Sequence, residues 1–119
     1  MLADRTAAIA APRTRRRLPA ERLRAALLEL AGNQAEVASH VERNWASITF
    51  AGTRHSIELH FAGDAAVAAG ELFIAALPDH EFAIPGQLVA DAAIVEVDHR
   101  IGPAALMKVK AELLLLDEA

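Results

Sequence analysis

Hydrophobic positions recur along this chain with two different periods, and the changes of period divide it into elements. Pro19 stands where a helix starts well, because the N–H it lacks would be unpaired in a first turn anyway. Leu23, Leu27 and Leu30 follow at i, i+4 and i+7, with Ala26 on the same stripe and Arg22, Arg24 and Glu29 off it. Gly32-Asn33 supplies a stop. The spacing predicts a short amphipathic helix over 19–31. From Glu36 the period becomes two. In 45–50, Ala46, Ile48 and Phe50 share a face, and Gly52-Thr53-Arg54 reads as a turn. In 55–61, Ile57, Leu59 and Phe61 share a face while Ser56, Glu58 and His60 point the other way. This is a hairpin. The stretch 36–42 either extends its first strand or forms a separate one, and spacing leaves both open.

A second helix is expected over 65–77, with Asp64 as its N-cap and Pro78 as its stop. Ala66, Ala69, Phe73, Ala76 and Leu77 form one apolar face, and Val67 and Ile74 form a second beside Glu71. A helix apolar nearly all round expects cover on more than one side, in so small a domain from another subunit. Gly70 in mid-helix costs about 1 kcal/mol against Ala, which a close approach by a strand or partner helix would offset. After Pro85-Gly86, two strands are expected over 88–99 and 104–116, separated by Arg100-Ile101-Gly102-Pro103. In the last, Met107, Val109, Ala111, Leu113 and Leu115 alternate with Lys108, Lys110 and Glu112, and the polar face turns apolar at Leu114 and Leu116. In the third, strict alternation puts Val89, Ala93, Val95 and Val97 on one face with Asp91, and Ala92 and Ile94 opposite.

The element order α-β-β-α-β-β predicts an α+β fold: a two-layer sandwich, its four-stranded, mainly antiparallel sheet carrying the helices on one face. One domain is expected over 18–119, behind a flexible Arg-rich arm over 1–17.

Charge sharpens that division. Seven Arg lie in the first 24 residues, which carry +5, while the other 95 carry −9. Arg13, Arg15, Arg16 and Arg17 are the candidates for weak contact with nucleic acid or another polyanion. The absence of Cys excludes disulfides and thiolate chemistry and fits a reducing, cytoplasmic setting. No apolar run approaches the roughly 18–20 residues that span a bilayer, so no membrane contact is expected. The Arg cluster follows the first apolar stretch instead of preceding it, unlike a signal peptide. Abundant Ala and Arg suggest a bacterial, GC-rich genome.

No catalytic motif stands out. The His are His40, His55, His60, His80 and His99, and no pair among them has the spacing of a metal site on one strand or helix. His55 and His60 are five apart on one strand and so face opposite ways. His80-Glu81 opens like a zinc-protease motif, but Ile84 holds the place of the second His. Ser47 and Ser56 read as ordinary sheet decoration. No nucleophile elbow, phosphate loop or dinucleotide fingerprint is present. The sequence assigns no metal and no cofactor, and leaves catalytic residues unknown, with the balance against an enzyme. Asp91 is either a partnered group in a pocket or a solvated carboxylate near a strand end. Trp45 is either a contact residue or half-buried packing.

Three functions remain open. The first is a non-catalytic module that self-associates, as a homo-dimer, through apolar helix and sheet surface. The second is a small-molecule binder or enzyme with a pocket between helix and sheet, its candidates being Arg54, His55, Asp91, His99 and Arg100. The third is a nucleic-acid accessory protein using the N-terminal Arg arm.

Overall fold

The computed structural model describes residues 18–118. Helix α1 spans 18–30, followed by β1 (Glu36–Ala46), β2 (Ala51–Ala62), α2 (Asp64–Ala76), a 3-10 turn (Leu77–Asp79), β3 (Gln87–Arg100) and β4 (Leu106–Asp117). The expected arm, with Arg13, Arg15, Arg16 and Arg17, lies outside the described residues.

The four strands form one antiparallel sheet in the order β1-β2-β4-β3, so β2 and β4 are central and β1 and β3 are edges. The α+β layout and the helix-facing stripes are as the alternation predicts. Ile57, Leu59 and Phe61 on β2 and Met107, Val109, Ala111, Leu113 and Leu115 on β4 are buried in one core with Leu23 and Leu27 of α1 and Phe73 of α2. The end of α1 has the conformation its sequence announces: Gly32 and Asn33 both adopt positive φ, and the Asn33 N–H donates to the Leu28 carbonyl at 2.9 Å.

Four local expectations are corrected. First, the β1–β2 turn occupies 47–50, not 52–54, and β1 is continuous from Glu36. Ile48 belongs to this turn and is fully exposed, so the run Ala46–Ile48–Phe50 imitates a strand without being one. Gly52 is instead inside β2, opposite Leu116. A Cβ there would stand 2.1 Å from the Leu115 carbonyl oxygen, so glycine is what lets the two backbones come this close.

Second, Gly63, at φ 95°, caps α2, and no side-chain cap bond is made. Asp64 is the first helical residue, where its carboxylate still meets the positive end of the helix dipole.

Third, within this chain α2 buries one broad face, which joins Val67 of the expected second face to the first. Ala66, Val67, Gly70 and Phe73 are buried, whereas Ala68, Leu72, Ala75 and Ala76 are exposed. Gly70 has the expected reason: a Cβ there would meet Met107 Sδ at 2.9 Å and Phe61 Cγ at 3.0 Å.

Fourth, β3 does not alternate strictly. Its pairing with β4 shifts between Val89 and Asp91 and again between Ile94 and Glu96, leaving Ala90 and Val95 as bulge residues. Each extra residue exchanges the two faces. Val89, Ala92 and Ile94 therefore pack on the core, and Asp91 is turned out to solvent. Edge strand β1 has one such shift, between Val37 and Ser39.

Candidate functional site

The register of the first hairpin brings three side chains together on the helix side of the sheet. His40 and Glu42 are two apart on β1 and so share a face, and Glu42 stands opposite His55 on β2. Helix α1 lies above them and adds Arg24. Its guanidinium donates to His40 Nδ1 at 2.7 Å, and His40 Nε2 meets His55 Nδ1 at 2.8 Å.

A guanidinium has only hydrogens to offer, so His40 Nδ1 accepts and the proton of that ring sits on Nε2. That N–H donates to His55 Nδ1, which leaves the His55 proton on its own Nε2. The line Arg24 to His40 to His55 thus has one sense of donation, set at its cationic end.

Burial gives the line its electrostatics. His55 is 2% exposed. Its pKa is pushed down to about 4, first by desolvation and then by His40, with Glu42 pulling upward and Arg24 again downward. His40 is also lowered, by burial and then by Arg24. Both imidazoles are therefore neutral at pH 7. The ligand atoms of His40, Glu42 and His55 all lie within 4.8 Å of one another, the one such trio of His and carboxylate side chains among the described residues. His55 and Glu42 also line a cavity of about 610 Å³ between the start of α1 and the sheet, with Asn44, Thr53, Gln87 and Asp117 on its walls.

Among the described residues, no helix lies on the opposite face of the sheet. Its cross-strand rows change character from one end to the other. Trp45, Gly52, Leu116 and Leu88 form the first row, and Arg43, Arg54, Leu114 and Asp91 the second. Ser39, Glu58, Lys110 and Glu96 form a later row, followed by His60, Lys108 and Asp98. At this wet end the His60 Nε2–H donates to Glu58 Oε2 at 2.6 Å, and Lys110 pairs with Glu96 at 3.8 Å. At the apolar end, Leu88 is 52% exposed and lines a groove with Phe50 and Leu116.

The residues singled out from sequence do not form one pocket. His55 is buried on the helix side, while Arg54 and Asp91 face the other way, flanking Leu114. His99 pairs with Met107, six residues along β4 from the partner of His55, or about 20 Å. Arg100 lies beyond it, exposed, its Nε–H donating to the Ala104 carbonyl at 3.4 Å. His40, Glu42 and Arg24 were not singled out. A search for i, i+2 spacing on strands that included carboxylates with the histidines would have found His40 and Glu42.

No protein-family model matches the chain, and no curated relative is found. Among solved structures, a chain from the virion of a native gene transfer agent particle shares the fold. The match covers 86% of this chain and 92% of that one, with a TM-score of 0.53 and 16% identity.

Proposed function

We propose that this chain is a non-catalytic building block that pairs with a second copy of itself and serves a multi-subunit, particle-type assembly. The observation that carries the reading is the row Arg43–Arg54–Leu114–Asp91 on the face of the sheet turned away from the described helices, with Leu114 itself buried between its charged neighbours. It reads positive, positive, apolar, negative. A two-fold axis running along the strands through Leu114 sets Arg54 of each copy against Asp91 of the other. The same operation lays Leu88 opposite Gly52 of the other copy. At the wet end it opposes Lys110 to Lys110, which confines contact to the apolar end. The virion origin of the structural neighbour supports a building-block role, since that protein is itself part of a particle.

Size-exclusion chromatography with light scattering tests this. Twice the 12.7 kDa chain mass is expected at micromolar concentration. Leu88→Glu gives a monomer. Arg54→Glu weakens pairing by about five-fold, and adding Asp91→Arg restores it. A wild-type protein that stays monomeric removes the reading.

A further inference from the structure

We propose that His40, Glu42 and His55 form a binding site for one divalent transition-metal cation of the Zn²⁺ class, with Arg24 as its built-in competitor. This goes beyond the building-block reading and does not depend on it. Two imidazoles and a carboxylate are a donor set suited to zinc and its neighbours. The strand geometry delivers them without distortion: two from one face of β1 and one directly across on β2. The centroids of the two rings are 5.1 Å apart. Two imidazoles sharing a tetrahedral zinc, with Zn–N near 2.0–2.1 Å, have centroids separated by about 5 Å. Metal entry therefore needs the rings to turn and not the strands to part. Three protein donors leave a coordination position open, and Glu42 and His55 also border the cavity.

Arg24 defines the metal-free state. Its contact keeps the His40 proton on Nε2, the nitrogen the metal needs. For the ion to bind, that ring must give up the Nε2 proton and carry one on Nδ1, where it would face a guanidinium that has only hydrogens to offer. The ion and the Arg24 contact are mutually exclusive, and their like charges add to the opposition. Arg24 is half-buried at the surface of α1 and has solvent to swing into. Its removal therefore frees the site, where loss of a hydrogen-bond partner to a ligating histidine would ordinarily weaken one.

The test is Co²⁺ titration of the full chain, followed by visible d–d absorption, with Zn²⁺ displacing the band. One Co²⁺ per chain is expected. Glu42 is exposed, so Glu42→Gln keeps the fold and weakens binding by about ten-fold or more. Arg24→Ala tightens it by about ten-fold. His99→Ala, at the far end of the sheet, changes nothing. The proposal is overturned if no saturable band appears. It is equally overturned if affinity follows His99→Ala instead of Glu42→Gln, or if Arg24→Ala weakens binding. None of these results bears on whether the chain pairs with itself.

Discussion

His55 and His60 sit five residues apart on one strand and meet opposite fates. His55 faces α1, is desolvated, and titrates only near pH 4. His60 faces solvent on the uncovered side and donates to Glu58, its neighbour two residues back. The strand and the residue type are the same, so neither explains the difference. What differs is the second layer: a helix above one ring and water above the other. The pleat decides which side chain enters the covered layer, and the cover decides its chemistry.

The two rings lose their separate environments most completely if β2 loses its register against β4. Gly52→Ala should do this, because its Cβ meets the β4 backbone and not a movable side chain. A loss of about 3 kcal/mol or more in urea unfolding is expected, and both histidines should lose their distinct environments in the NMR spectrum.

Acid acts on the buried ring through folding stability. The folded-state pKa of His55 lies below its ordinary value near 6.5, so the unfolded chain binds the proton more readily. The stability this residue contributes is complete above pH 6.5 and falls as pH drops toward 4. Over that window the metal-free protein should lose up to about 3 kcal/mol. His55→Leu should flatten this limb, as read from urea midpoints across pH.

The smallest effect lies on the exposed side. The hydrogen bond from His60 is the main reason the Glu58 carboxyl titrates below its ordinary range, with Lys110 and Lys108 helping. His60→Gln should move the Glu58 pKa upward in a carboxyl NMR titration while leaving the unfolding midpoint at pH 7 almost unchanged.

The core was legible because β2 and β4 keep strict alternation: five apolar positions on β4 and three on β2 all point at the helices, as the period of two requires. The edges were not. An extra residue at Ala90 reverses parity, and Asp91 moves from an expected core position to solvent, with nothing in Val89-Ala90-Asp91 to announce a bulge. The first hairpin misled for another reason. Glycine at 52 serves a close approach of two backbones, yet by composition it reads as a turn. That misplacement hid the site as well. With the turn centred on 52–54, His55 faces residue 51; with the turn at 47–50 it faces Glu42. The histidine cluster depends on where one hairpin reverses, and the distinction between a glycine that turns and a glycine that touches is tertiary.

Both outer strands of the sheet are interrupted, β1 once and β3 twice. A kink in each border shortens the straight ladder of amides on which a foreign strand could dock, which disfavours lengthwise fibre growth by strand addition at either flank. The broad faces of the sheet carry no such restriction.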